Sequence, residues 1–320
     1  MKQYIVRRLL QMVPVLIGVS ILLFTVFAMA PGDAIDSMGL ERVSAERKAE
    51  LRRMYGLEGP IHIRYINWVK KAVQFDFGNS IKHAQPVSQV INSFVWNSFM
   101  LSLTSFILSV LIAVPIGVMS ATKQYSGFDK FFTVFALLGI SVPSFFFGMV
   151  LIKIFAVDLK LFPVSGMITS GVKYTGFAHV LDVLKHMFLP LIVLTLSSVA
   201  SLMRYTRTSM LEVIRQDYIR TARSKGLKEK VVIYKHALRN GLIPVITILG
   251  MHLPALFGGA IITEQIFVWP GIGKVALEAI QARDYPLLMG FEMLLAILTL
   301  LGNLIADITY SFVDPRIRLK

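Results

Sequence analysis

The chain has 320 residues, 55% of them hydrophobic and 16% charged, where a soluble domain carries roughly 25% charged residues, so the composition is that of a membrane protein. The formal net charge of +14 falls mostly in short segments between long apolar runs, where lipid topology accounts for it and no nucleic-acid role is needed. With no cysteine, a disulfide framework, a thiolate metal site and a cysteine nucleophile are all excluded.

A helix needs about 20 mostly apolar residues to cross the hydrocarbon core. The first such run, Leu9 to Ala30, ends in Ala28-Met29-Ala30, which has the small-x-small form of a signal cleavage site. Pro31 follows directly, and the run is longer than a signal core, so a retained anchor is expected. From Pro31 to Ser98 the pattern predicts short helices. Ser44 caps one that stops at Gly56, and after Pro60 the residues Ile66, Val69 and Val73 recur at helical spacing. Residues 1–98 thus read as the first span with a packed cap outside the membrane.

Five further runs follow: Phe99 to Ala121, Phe131 to Val157, Met187 to Met203, Gly241 to Ile262 and Leu287 to Ile305. The fourth span overall, Met187 to Met203, is the shortest, bounded by Lys185 and Arg204. Residues 99–309 form the five-helix core, and 310–320 a tail. Prolines at 115, 143, 190, 244 and 254 fall in or beside spans, where neighbouring helices can satisfy the carbonyls they free. Lys153, near the outer end of its span, is placed to snorkel.

Basic residues set the orientation. Lys2, Arg7, Arg8, Lys123, Lys130, ten residues between Arg204 and Arg239, and Arg316, Arg318 and Lys320 share one side. The opposite short loops hold only Lys160, Lys173, Lys185, Lys274 and Arg283. Both termini are therefore expected in the cytoplasm.

On the outer side, Glu264-Gln-Ile-Phe-Val-Trp-Pro-Gly-Ile-Gly-Lys274 should turn sharply. Its Gly-Lys pair is no phosphate loop, because Val268 and Val275 occupy the positions where that motif requires glycine and Ser or Thr. No His-Glu-x-x-His or Gly-x-Ser-x-Gly occurs, and the histidines are scattered, which argues against an intramembrane enzyme. An ion-coupled carrier would favour mid-membrane ionisable groups and paired repeats, and neither is evident.

The cytoplasmic loop 204–240 is the richest segment. Leu211, Ile214, Tyr218 and Ala222 share one face of a predicted helix, which Gly226 stops. A second short helix carries Val231, Tyr234 and Leu238 on one side. In the last span, Glu292, Thr299, Asn303 and Asp307 fall within about 80° on a helical wheel, forming a polar stripe for interhelical packing or a pathway.

At this loop the sequence resembles the permeases of bacterial binding-protein-dependent ABC importers, specifically the dipeptide, oligopeptide and nickel group. Ala222, Gly226 and Leu238 match the general cytoplasmic signature of that family. Asp217-Tyr-Ile-Arg-Thr-Ala-Arg-Ser-Lys-Gly-Leu227 and Lys235-His-Ala-Leu-Arg-Asn240 look like its peptide-permease variant. Ala30-Pro-Gly-Asp33, Phe75-Asp-Phe-Gly-Asn-Ser80, Glu264-Gln-Ile-Phe267, Trp269-Pro-Gly271, Arg283-Asp-Tyr-Pro286 and Val313-Asp-Pro-Arg316 extend the resemblance over nearly the whole chain. It implies an all-α integral membrane protein of type I importer architecture in the bacterial plasma membrane, forming half of a translocation pathway. It also implies a homologous second permease, two separate ATPase subunits that hold ATP and Mg, and an extracytoplasmic binding protein. No cofactor or metal is expected on this chain. The implied coupling residues are Asp217, Ala222, Gly226, Val231, Tyr234 and Leu238. The implied cargo is a peptide, with nickel or another small solute as the alternative.

Overall fold

The computed structural model describes residues 2–30, 32, 35, 44–252 and 254–313; within its helices, the side chains at 2, 247, 251, 306, 307 and 309–313 are outside that description. Pro31, Asp33 and most of the Val313-Asp-Pro-Arg316 motif therefore lie outside it, as do residues 314–320 of the expected tail, while residues 310–313 belong to the last helix. Among the described residues the structure is helical, with one isolated bridge between Asn79 and Pro86.

Helix α1, Lys2–Met29, carries Pro14 and is peripheral. Two short helices follow on the outer side. In α2, Ala45–Met54, the Ser44 hydroxyl accepts from Arg47 N at 3.3 Å, and the chain leaves through Gly56 at φ 64°. In α3, Ile61–Ala72, the expected inward face is rotated. Ile66 and Val73 are exposed, and Tyr65 and Trp68 meet Phe24 of α1 instead. The aromatic rings bury more apolar area than the aliphatic positions would.

The core is built on α4, Val87–Thr122, and α7, Gly176–Ile214. Ser105, Ser109, Ala113, Gly117 and Ala121 recur every four residues and are buried, forming the small-residue seam that lets two helix backbones approach in lipid. A Cβ on Gly117 would lie 2.6 Å from Thr206 Cβ and 2.9 Å from the Met203 carbonyl, so only glycine fits. The fourth span is not short, as its apolar run implied. At 39 residues it is about 58 Å long at 1.5 Å per residue, because the helix continues past the charges that ended that run.

Two spans expected as single runs are broken. The third divides into α5, Gly127–Ser141, and α6, Ser144–Leu151, which continues as a wider π turn through Ile152–Asp158. The two halves meet at 99°. Pro143 holds the residue before it in an extended conformation, which ends α5 at Ser141. Lys153 pairs with Asp158 at the outer end. The fifth divides at Pro254, with α11 Ile243–Met251 and α12 Ile261–Ile266 bracketing the single turn Pro254–Leu256. Before α11 lie three short cytoplasmic helices, α8 Asp217–Ser224, α9 Glu229–Val231 and α10 Leu238–Gly241. After α12 come α13, Ile272–Gln281, and the last span α14, Tyr285–Val313.

Two buried acids lock the outer ends together. Glu264 is fully buried and accepts from Ser98 Oγ at 2.6 Å, Ala260 N at 3.0 Å and Lys274 N at 2.9 Å. Ser98 Oγ in turn accepts from Ile272 N at 2.8 Å, and the buried Trp269 donates through Nε1 to Asn97 O at 3.2 Å. Gly271 and Gly273 leave room for the carboxyl group, which a Cβ at either position would crowd. Asp284, also fully buried, accepts from Ser80 Oγ at 2.5 Å and Lys82 N at 3.0 Å, and caps α14 through Leu287 N at 3.2 Å. The glycine-aromatic turn is thus organised around a carboxyl group from within it.

Glu264→Ala leaves three donors without this acceptor. Each buried unsatisfied group costs roughly 1–3 kcal/mol, so a loss of about 3 kcal/mol or more is expected. Thermal inactivation in detergent reads it: the midpoint should fall clearly for Glu264→Ala and less for Glu264→Gln, which keeps one acceptor oxygen. Equal midpoints for wild type and Glu264→Ala would contradict this role.

Candidate functional site

The cytoplasmic projection spans α8 to α10. It begins where α7 stops at Ile214 and the chain turns through Arg215 and Gln216. Asp217 opens α8 at the positive end of the helix dipole and faces Arg220 at 3.6 Å. The helix ends at Lys225, and Gly226 takes φ 74°, a left-handed conformation that costs other L-residues about 1–2 kcal/mol. Nothing lies within 4 Å of where a Gly226 Cβ would be, so backbone geometry, not crowding inside the chain, requires glycine there. Across this turn Arg223 clamps Glu229, with Nε to Oε2 at 3.1 Å and Nη2 to Oε1 at 2.7 Å.

After α9 the chain widens into a π turn over Val232–Ala237 before α10. The wider turn changes which residues point inward. Val232, Ile233 and Ala237 are buried, with Ile219 and Ala222 of α8, against Val118 and Ala121 of α4 and Met210 of α7. Ser209 Oγ donates to Gly241 O at 2.7 Å, and a Cβ on Gly241 would lie 2.5 Å from Met210 Sδ. The projection is therefore packed on the cytoplasmic ends of both core helices.

The six residues singled out from the sequence divide by environment. Ala222 is buried in this cluster and Leu238 packs against its edge. Gly226 makes the turn. Asp217, Val231 and Tyr234 face outward, with Tyr234 54% exposed. Two expected alignments need correction. Leu211, Ile214, Tyr218 and Ala222 do not share one helix, because the break after Ile214 leaves Tyr218 exposed while the other three pack inward. Val231, Tyr234 and Leu238 do not form one face, because the π turn rotates Leu238 toward the core. The exposed apolar set is Tyr218, Leu227, Val231 and Tyr234.

Sequence reasoning missed the anchor beside this projection. Arg207 of α7 donates to Asp129 of α5, Nε to Oδ1 at 2.6 Å and Nη2 to Oδ2 at 2.8 Å, and Tyr125 N donates to Asp129 Oδ2 at 2.9 Å. Asp129 N donates to Ser126 Oγ at 3.3 Å. The Ser-x-x-Asp spacing of Ser126 and Asp129 was a readable capping signal; its partner 78 residues away was not. In the polar stripe, Glu292 is half-buried, Asn303 and Thr299 are exposed, and Thr299 Oγ1 donates to Leu295 O at 2.7 Å. The Asp307 side chain lies outside the described residues. No group of three or more His, Asp or Glu arranged to hold a metal occurs among the described residues.

The geometry is that of a helical membrane chain with a two-sided projection packed on its two longest helices. Residues 113–319 match the family model described as the binding-protein-dependent transport system inner membrane component, and residues 1–104 match the model for its N-terminal membrane component. The chain belongs to this family. It is 43% identical over 318 residues to the oligopeptide transport system permease protein AppB of Bacillus subtilis (strain 168), covering 99% of each chain. It is 39% identical over 338 residues to the dipeptide transport system permease protein DppB of Escherichia coli (strain K12), covering both chains fully. The fold matches a chain of the MetNI methionine ABC transporter, solved in inward-facing conformations, with a TM-score of 0.54 at 15% identity over 71% of this chain and 97% of that one. The architecture is that of type I ABC importer permeases.

Hydrogen bonding to Arg223 holds the Glu229 carboxyl below its ordinary value and raises the Arg223 guanidinium. A lowered carboxylate contributes order above its unfolded value, and that order is lost as pH falls through the folded one. Hydrogen-exchange protection at the Gly226 and Val231 amides should therefore fall on acidification below the ordinary carboxylate range. Glu229→Gln should show low protection at neutral pH and little pH dependence. Separately, a double-mutant cycle on Asp129→Asn and Arg207→Gln should give a coupling of about 1–3 kcal/mol in thermal stability. Additive effects would mean that the pair does not act as a unit.

Proposed function

We propose that this chain is one of two permease subunits in an ATP-driven peptide importer of the bacterial plasma membrane. Supporting the cargo class, both relatives described above carry peptide-transport names over the full length of their match; neither is named for nickel. Two ATPase subunits would hold ATP and Mg, and a binding protein would deliver the peptide to the outer side. This chain contributes no catalytic group.

The observation that carries the coupling role is the two-sided projection. Its inner side is fused by packing to α4 and α7, while Leu227, Val231 and Tyr234 present apolar surface outward beside basic residues. ATP can drive transport only if the ATPase binds the two states of the permease with different affinity, so a movement must cross this contact. A side chain that docks in an ATPase groove at Tyr234 and a turn fixed at Gly226 would carry it. Ala222 and Leu238 hold the projection to its helices, and Asp217 stabilises the start of α8. Glu292, Thr299 and Asn303 are read as the face of α14 turned toward the pathway or the second permease, since burying exposed polar groups against lipid is costly.

The test is the full complex in proteoliposomes. Gly226→Trp puts bulk into the open space on the outward side of the turn, and Tyr234→Ala removes an exposed ring without touching the core. Both should retain ATP hydrolysis and membrane insertion while peptide uptake falls by roughly tenfold or more, as expected for loss of a contact that carries 1–3 kcal/mol of coupling. Uptake at the wild-type rate by Gly226→Trp would remove this assignment.

A further inference from the structure

Helix α14 runs along the broken fifth span. A Cβ on Gly302 would lie 2.8 Å from Pro254 Cγ, and one on Gly258 would lie 3.9 Å from both terminal carbons of Leu295. Between α11 and α12 the backbone leaves the α-helix, and His252 and Ala255 are exposed there. Irregular backbone at membrane depth is tolerated only where it is buried in protein or lines a water-filled cavity. The exposure of these two positions points to a cavity.

Glu292 stands at the edge of that break. It comes three residues before Leu295, and Thr299 comes four after Leu295 and three before Gly302, so both neighbour the residues of α14 that touch the break. Seven residues after Tyr285, Glu292 lies about 10 Å below the outer end of α14 at 1.5 Å per residue. The buried acids Asp129, Asp182, Glu264 and Asp284 all accept hydrogen bonds. Glu292 is half-buried and pairs with no donor or cation among the described residues. An ionisable group inside a span is costly, and one without a partner in its own chain marks a place where a cation is received.

The neighbouring side chains narrow the kind of cation. Thr299 and Asn303, on the same side of α14, are exposed and neutral. Thr299 Oγ1 donates its hydrogen to Leu295 O at 2.7 Å, which leaves its oxygen free to accept, while the Asn303 amide both donates and accepts. A carboxylate followed by neutral hydrogen-bonding groups matches a peptide, with an ammonium at one end and amides behind it. An extended peptide advances about 3.4 Å per residue, so the roughly 10 Å of helix axis from Glu292 to Thr299 takes about three residues. A metal ion finds only one carboxylate here, because no group of three His, Asp or Glu stands ready for it among the described residues.

Resting on the reading of this chain as a peptide permease, we propose that Glu292 receives the α-ammonium group of the peptide in the pathway. Thr299 and Asn303 bond to the amides behind it.

The assembled transporter is placed in nanodiscs without binding protein, so that retention reports the membrane subunits alone, and is dialysed to equilibrium against radiolabelled trialanine or N-acetyl-trialanine. The wild type should hold trialanine roughly tenfold more tightly, the scale of one charge-assisted hydrogen bond. Glu292→Gln should abolish that preference and leave retention of the acetylated peptide unchanged, and Glu292→Asp should keep part of it. Glu58→Gln, the same loss of charge on the outer side, should keep the wild-type preference. Lack of preference in the wild type overturns the proposal, as does wild-type preference in Glu292→Gln. Equal loss of both peptides overturns it in favour of a structural role. Dissociation of the two permease subunits in Glu292→Gln, read by native mass spectrometry, overturns it in favour of an ion pair between them. Uptake of trialanine by the complete wild-type system with binding protein and ATP tests the underlying reading separately: if uptake fails, the peptide importer itself is wrong, whereas uptake without a Glu292 effect removes only this site.

Discussion

The contact between α4 and α7 is what the rest of the molecule depends on. Ser105, Ser109, Ala113, Gly117 and Ala121 give α4 a flat edge, and α7 lies so close that a single Cβ at Gly117 would strike both a side chain and a carbonyl. In lipid there is no hydrophobic drive between helices, so close packing of this kind supplies the attraction. The consequence is mechanical. A well-packed seam does not deform gradually, and displacement at one end of α7 is carried along it as a rigid shift. Because α7 exceeds the hydrocarbon thickness, its outer end reaches Thr169 through Asp182 while Met210 at its inner end lies in the projection's core.

Buried acids fasten the loops to this rod. Asp129, Asp182, Glu264 and Asp284 are the buried acidic side chains among the described residues. Each accepts a backbone N–H that has no partner in a helix ladder: Tyr125, Thr169, Ala260 and Lys82 outside regular helix for Asp129, Asp182, Glu264 and Asp284 respectively, and for Glu264 also Lys274 in the first turn of α13. At the ends of spans, backbone groups leave the helix ladder and lose access to bulk water together, so a carboxyl oxygen is the partner that stands in for both. Arg207 supplies the countercharge for Asp129 on the cytoplasmic side. At the outer side hydroxyls and amides do that work for Glu264 and Asp284.

The spans and the turn at Gly226 were legible in the sequence because each is a local signal: apolar length for the first, a helix-stopping residue after a basic turn for the second. The breaks at Pro143 and Pro254 were not, since membrane helices also carry proline unbroken, as α1, α4 and α7 do. The length of α7 was hidden by Lys185 and Arg204, which end an apolar run without ending a helix. Within the projection, residue spacing assumed 3.6 residues per turn, and the π turn over Val232–Ala237 breaks that assumption. Glu264 and Asp284 stood inside recognisable motifs, yet their partners Ser98 and Ser80 lie 166 and 204 residues away, a distance no local pattern spans.

If the projection and the core helices move as one body, a distance measured within that body does not change while the importer works. The chain has no cysteine, so spin labels can be placed at introduced cysteines without background. Lys123 at the end of α4 and the exposed Leu227 beside the Gly226 turn are suitable positions. In the assembled transporter, the 123–227 distance distribution should be the same with and without bound ATP. A shift of about 5 Å, one helical turn, would show the projection sliding over α4 and α7, and would contradict rigid coupling.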